Sequence, residues 1–524
     1  MKRLNFLPSF LRAVRSFARS EGGMTLPLLA LSMVVMTGAT GVAIDTARMQ
    51  LAQSKLQFSL DAAGLAAGST VNTASLNSEV GKYLNANFNG YMGATITGTN
   101  ANVDDSNTII TLSASASLPT TFMNVLGVST MTVNANSEIS RAVTGLELVL
   151  VLDNTGSMTG TAGGGVTKLA ALKTASTTLV NTLFANPSVA TNGKLWVGIV
   201  PFSQAVNIGT SHDTWMDSTY SNALSGMALN QGPGWGPTSW TGCVDARLNG
   251  EDVTDTPPSQ GNVNTLFQQY YWPSDNLNYG APYNNSPNSG DNDWATRVYS
   301  RCKNGSCTTV TGSCSTSNGY TCTLTGYNYA SPLNTSQQGP NLMCPQEVTP
   351  LTNNKTTLLN HINSMVAQGN TVIPQGLQWG WHMLSPRWQG LWGGTMGANG
   401  LPLAYDAPGM NKAIVLLTDG ENTIDNGSHS NYWFLQNGRL GTTNSSTAVT
   451  NLNSRTQTLC TALKNKGVYI YTVMLGTQTT TTSLNLLKNC ATAQNYFFNS
   501  PSTSQLQGIF NAIGDSLSNL RVSQ

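Results

Sequence analysis

The amino-acid sequence predicts an α/β protein built on a doubly wound parallel sheet, with a large Cys-rich insertion, preceded by a transmembrane helix and a small β-rich unit. Three observations carry that expectation. Strand-like apolar runs at Leu146–Leu152, Leu195–Phe202, Lys412–Thr418 and Val468–Leu475 alternate with helical patterns, the order that builds parallel sheets covered on both faces. The run from Met24 to Ile44 contains no charged residue. The cysteines begin only at Cys243, and most lie in one stretch that breaks the alternation.

At 524 residues the chain is long enough for two or more domains. Asp, Glu, Lys and Arg make up 9% of it, against about 25% in ordinary soluble proteins. Gly, Asn, Ser and Thr take their place, a surface chemistry suited to an exported protein. The net charge is +1 and no basic stripe runs along any segment, so no nucleic-acid partner is expected.

The amino-terminal elements come first. Lys2, Arg3, Arg12, Arg15 and Arg19 precede the uncharged run, which at 1.5 Å per residue spans the roughly 30 Å hydrocarbon core of a bilayer. Cations ahead of a span predict residues 1–23 on the cytoplasmic side and the remainder outside. A cleaved signal peptide is the alternative, because Gly38, Ala39, Gly41 and Ala43 sit late in the run. The helical pattern continues through 45–70 without a proline, and this favours a retained anchor. Ala39, Ala43 and Ala47 share one face at a spacing that permits close helix packing. A chain anchored in this way faces an oxidising space, where its eight cysteines would form disulfides.

Residues 71–144 read as a small β-rich domain, with strand-like segments at Thr95–Thr99, Thr108–Leu118 and Thr130–Ile139. The α/β domain is expected over 145–524, with helices at Lys168–Phe184, Leu351–Gln368, Ile373–Leu384, Ser454–Lys466 and Gln505–Leu517. In the first of these, Leu169, Leu172, Leu179 and Leu183 fall on one face. The stretch from about 205 to 350 is too long for a structureless loop and is expected to be a disulfide-stabilised insertion. Cys302, Cys307, Cys314 and Cys322 are near enough to pair among themselves, Cys243 and Cys344 bracket the insertion, and Cys460 and Cys490 remain for each other. Six cysteines alone allow fifteen connectivities, so these pairings are one choice among several.

The chemistry concentrates at strand ends. Leu148 to Leu152 is a buried-strand pattern ending on Asp153, with hydroxyls following at Thr155 and Ser157. Such a strand delivers its last side chain to the carboxyl edge of the sheet, where open α/β folds bind ligands. A second apolar strand, Lys412–Thr418, ends on Asp419-Gly420-Glu421, and a loop from Gly369 to Leu377 carries Thr371. Carboxylates and hydroxyls are hard donors suited to Mg²⁺, with Ca²⁺ or Mn²⁺ as alternatives.

These three loops resemble the von Willebrand factor A domain, a Rossmann-like α/β fold whose equivalent loops form the metal-ion-dependent adhesion site (MIDAS). The resemblance implies that Thr155 and Ser157 coordinate the ion, that Thr371 is the third hydroxyl donor, and that Asp153 and Asp419 balance the charge. Thr155 stands where the family usually has Ser. One coordination position would be left for water or for an acidic group of a protein partner, which is recognition rather than catalysis. Ser20-Glu21-Gly22-Gly23, the apolar run, Val42-Ala43-Ile44-Asp45 and Leu56–Gly68 resemble the TadE/TadG-like amino terminus of Flp (Tad) pilus-assembly proteins. Pro27 and Leu28 stand where a processed pseudopilin would carry Glu, so a retained anchor is expected rather than a filament subunit.

The combined resemblance implies a single-pass protein of the bacterial inner membrane with a periplasmic carboxy-terminal domain. Its metal site would hold a protein partner among the pilus-assembly components. A cell-surface, metal-dependent adhesin is the alternative. An enzyme centred on Asp245, Glu251 or Asp293 of the insertion is the third reading. Thr167-Lys168 follows a Gly-rich stretch but lacks phosphate-loop order, and His212, His361, His382 and His429 are too scattered for a zinc hydrolase. Ser157 lacks the setting of a hydrolase nucleophile. Trp379, Trp381, Trp388 and Trp392 read as core packing, with a ligand-facing aromatic patch as the alternative.

Overall fold

The computed structural model describes residues 25–68, 76–103, 109–140, 142–143, 145–161, 165–185, 194–218, 234–274, 292–331, 333, 338–424, 429–476, 480–500, 502–520 and 522–523. The cytoplasmic segment expected over 1–23, with its cations and Ser20–Gly23, lies outside them. The chain divides into two compact units, one ending at Arg141 and the other running from Ala142 to Ser523.

In the first unit, helix α1 (Thr25–Gly68) runs without interruption through the expected span and beyond it. It is long and apolar enough to cross a membrane, with Leu26, Leu31, Val34 and Met36 exposed. Beyond the apolar run, one face of α1 is buried at Ala52, Leu56, Leu60 and Ala63. That face packs against strands β1 (Thr95–Val103), β2 (Ile109–Pro119) and β3 (Thr130–Ser140), an antiparallel sheet in sequence order. The β2 residues Ile110, Leu112, Ala114, Ala116 and Leu118 alternate inward, as a sheet with one wet face requires. Helix α2 (Leu76–Asn87) was not expected. Leu76, Val80 and Leu84, spaced four apart, bury one stripe of it against the same core.

In the second unit a six-stranded sheet joins β4 (Gly145–Asp153), β5 (Leu195–Phe202), β9 (Thr349–Thr352), β10 (Met410–Thr418), β11 (Tyr469–Leu475) and β12 (Phe497–Ser500) in the order β9-β5-β4-β10-β11-β12. All its pairs are parallel except β9 with β5. The expectation of a parallel sheet is therefore corrected at this edge. The helix expected over Leu351–Gln368 spans only Lys355–Ser364 (α4), and Leu351 and Thr352 belong instead to the strand Thr349–Thr352. Asn354 caps that helix by accepting from Thr357 N, so the chain ahead of the cap is free to pair as a strand.

Every residue of β4 is buried, because helices cover both faces of the sheet. Val149 and Val151 pack toward α5 (Ile373–Leu384), α6 (Ser445–Asn465) and α7 (Thr481–Cys490). Leu148, Leu150 and Leu152 pack toward α3 (Lys168–Leu183), α4 and α8 (Thr503–Leu520). α5 approaches the sheet closely at Gly376, where a Cβ would stand 2.7 Å from the Phe202 ring. Trp379, Trp381, Trp388 and Trp392 are all buried in this core.

The insertion contains a separate antiparallel sheet of β6 (Ala295–Lys303), β7 (Ser306–Thr311) and β8 (Thr321–Tyr329), with β6 central. The disulfides are Cys243–Cys344, Cys302–Cys307, Cys314–Cys322 and Cys460–Cys490. The first ties the two ends of the insertion across a sequence separation of 101. The next two staple the small sheet.

Candidate metal centre

Burial of β4 on both faces and its parallel pairing with β10 bring Asp153 and Asp419 to the same edge of the sheet. The Asp153 carboxylate is fully buried. Its Oδ1 accepts from Thr155 N at 2.9 Å and Thr155 Oγ1 at 2.5 Å. Its Oδ2 accepts from Thr418 Oγ1 at 2.6 Å. Thr155 Oγ1 lies 3.0 Å from Ser157 Oγ, which donates to Asp419 Oδ1 at 2.7 Å. Four of the five expected residues thus form one continuous hydrogen-bonded chain.

Thr371 reaches the group through its loop. Gly156 N donates to Gly369 O at 2.8 Å, and Gln368 N to Asn154 O at 2.7 Å, joining the first loop to the second. Thr371 N donates to Thr423 Oγ1 at 2.9 Å, and Thr423 N returns a bond to Thr371 O at 2.8 Å, joining the second loop to the third. Asn422 Oδ1 accepts from Ile373 N at the start of α5. Gly369 holds a φ of +78°, a left-handed conformation that glycine adopts without strain.

Burial raises the Asp153 carboxyl above the ordinary carboxylate range, and the charge of Asp419 raises it further. Desolvation opposes a second charge here, and a cation between the carboxylates relieves both effects. Lys168 Nζ, at the first turn of α3, lies 2.8 Å from Asp419 Oδ2. Thr167 caps that helix by accepting from Ala170 N. The Lys168 stem crosses Gly476, where a Cβ would stand 3.4 Å from its Cε. Sequence reasoning considered Lys168 only as a phosphate-loop residue. It also passed over Thr418, whose place immediately before Asp419 was the available signal.

The donor set fits a small hard divalent cation. Mg²⁺ binds oxygen at 2.0–2.1 Å in an octahedron, so adjacent ligands stand about 2.9 Å apart. The spacings of 3.0 Å from Thr155 to Ser157 and 2.7 Å from Ser157 to Asp419 match that edge. Among the described residues no group of three or more His, Cys, Asp and Glu gathers. Two of the acids considered for an enzyme are engaged separately. Asp245 pairs with Arg439 and accepts from Trp433, and Glu251 accepts from Thr254.

The chain is similar to several solved structures at low identity. It resembles the vWF domain of the type V pili tip protein Mfa5 from Porphyromonas gingivalis at 10% identity and a TM-score of 0.33, covering 73% of this chain and 97% of that one. It resembles the pilus adhesin RrgA from Streptococcus pneumoniae at 11% and 0.33, covering 81% and 49%. It resembles the PilB minor pilin from Streptococcus sanguinis at 10% and 0.31, covering 82% and 79%. No curated protein matches it. Residues 22–70 match the family described as putative Flp pilus-assembly TadE/G-like, so this amino-terminal segment is TadE/G-like.

Proposed function

We propose that this chain is a membrane-anchored, periplasm-facing accessory protein of Flp/Tad pilus assembly. Its second unit is read as a doubly wound A-type domain that captures a protein partner through a divalent cation. Asp153, Thr155, Ser157, Thr371 and Asp419 would hold the ion, and an acidic group of the partner would complete its coordination. The observation that carries the metal reading is the hydrogen-bonded chain from Asp153 through Thr155 and Ser157 to Asp419 at the carboxyl edge of the sheet. The TadE/G-like match over 22–70 supports the pilus context. The apolar length of α1 supports the anchor.

The test is crosslinking and pull-down from membranes with and without chelator, using wild type and an Asp153→Ala/Asp419→Ala variant. Chelator and the double substitution should each abolish capture of the same partner. Capture that survives both would refute the metal mechanism. A reporter fused after Gln524 should be active only outside the cytoplasm, and cytoplasmic activity would overturn the topology.

A further inference from the structure

We infer that the small sheet of the insertion carries a second binding site, independent of the metal centre, for a linear carboxylated polysaccharide. The charge distribution is the first observation. Between Asp293 and Glu347 the sequence contains no Asp or Glu, and its only charged residues are Arg297, Arg301 and Lys303. All three lie on β6 at alternate or every fourth position, so they share one face of the sheet. The expectation that no segment carries a basic stripe is corrected here: uncharged residues separate these three cations in the sequence, and only the strand gathers them on one face. Such a row matches a row of anions along a linear polymer.

The second observation is an aromatic platform on that same face. The register sets Tyr327 opposite Arg297, Leu324 opposite Tyr299 and Tyr329 opposite Ala295. Tyr327 and Tyr329 line an open groove of about 590 Å³, together with Thr238, Asn328, Ser331 and Leu333. Tyr329 is 37% exposed. Its ring is backed by the buried Trp294 ring, stacked at 6.3 Å and 12°, and it crosses Gly236, where a Cβ would stand 2.6 Å from it. Tyr271 in turn meets Trp294 edge-on. The ring is therefore supported from behind, and little conformational freedom is left to lose on binding.

Arg301 is similarly held, its guanidinium 3.7 Å above the Tyr320 ring and its Nε donating to Ser315 O. The Cys302–Cys307 and Cys314–Cys322 disulfides fix the strands and the loop that carry these groups. A guanidinium fork matches a carboxylate in two parallel hydrogen bonds. A sugar ring presents C–H faces and hydroxyls together, and the groove offers tyrosine faces beside Thr, Asn and Ser groups. An acidic peptide would engage the cations alone, whereas a sugar ring also covers the supported tyrosine face. The combination of fixed cations, ring faces and small polar groups therefore selects the acidic glycan.

The test uses the full chain in detergent micelles, with immobilised polygalacturonate as the probe, dextran as the neutral polymer and poly-glutamate as the acidic polypeptide. Wild type should bind polygalacturonate and not dextran, with affinity falling as salt is raised. Arg297→Gln/Arg301→Gln and Tyr329→Ala should each weaken binding about tenfold or more. Lys303→Gln, whose ammonium stands 5.3 Å from the Tyr320 ring, provides a milder variant should either of these lose the wild-type melting temperature, and it should weaken binding measurably. Absence of binding, or binding that the charge variants leave unchanged, overturns the proposal. Equal binding of poly-glutamate with no effect of Tyr329→Ala also overturns it, in favour of an acidic polypeptide partner.

Discussion

Lys168→Met separates the two roles of the candidate centre, because it removes a charge while keeping the stem that crosses Gly476. In the structure the ammonium sits 2.8 Å from Asp419 Oδ2. A divalent ion shared by Ser157 and Asp419 would lie roughly 5 Å from it, where repulsion between +2 and +1 is about 7 kcal/mol at an effective dielectric of 20. The lysine side chain is 16% exposed and can swing toward water. The repulsion retained is then about 1.5–3 kcal/mol, or roughly tenfold to a hundredfold in ion affinity. Mn²⁺ titration of the full chain in detergent, followed by calorimetry or electron paramagnetic resonance, should show Lys168→Met binding tighter than wild type by at least that lower factor. Lys168→Arg, which keeps the charge, should not.

The same variant should be less stable in chelator by about 1–3 kcal/mol, because the Asp419 carboxylate loses its cation while it stays buried. Tighter ion binding combined with lower chelated stability is the signature of a competing internal cation. Unchanged or weaker Mn²⁺ binding would refute that reasoning and leave Lys168 as a residue that orients Asp419. Failure of wild type and every variant to bind Mn²⁺ would instead refute the metal reading itself.

Two further measurements probe the scaffold. Burial pushes the Asp245 carboxyl up to about 7 despite Arg439 and the Trp433 N–H, whereas an unfolded Asp titrates near 3.9. Its contribution to stability is therefore fully present below about pH 4 and is lost as pH rises through about 7, by roughly 3–4 kcal/mol at most. Chemical denaturation in chelator at pH 4.5 and pH 8 should show this fall, and Asp245→Asn should flatten it; equal slopes would contradict the assignment. Gly376→Ala should cost about 1–3 kcal/mol, because its Cβ would enter the Phe202 and Val151 side chains. Gly508→Ala, where nothing lies within 4 Å, should raise the melting temperature through helix propensity; the opposite order would refute the close-approach account.

Much of the α/β unit was legible because buried parallel strands have few other readings. Leu148–Leu152 and Lys412–Thr418 are apolar on both faces, and strands of that kind pair centrally and end at one edge. That rule alone sets Asp153 beside Asp419. The bracketing positions of Cys243 and Cys344 likewise pointed to a pair, since closing the base of an insertion requires little beyond proximity. The edge strand Thr349–Thr352 was missed because it is short and its antiparallel pairing depends on β5, distant in sequence. Helix α2 was missed because its apolar stripe, Leu76, Val80 and Leu84, is narrow and set among polar residues.

By itself the sequence determined the order of apolar strands, the uncharged span with cations ahead of it, and which hydroxyl and carboxyl residues end the strands. Local periodicity and composition encode all of these, because hydrophobic burial acts on pattern. Only the tertiary structure decided that Lys168 reaches Asp419, that Thr418 completes the shell of Asp153, and that the three cations of β6 share a face with the Tyr327 and Tyr329 groove. Each of these contacts joins residues far apart in the chain. Their meeting depends on packing geometry, down to the missing side chains of Gly476 and Gly236, and no local pattern records it.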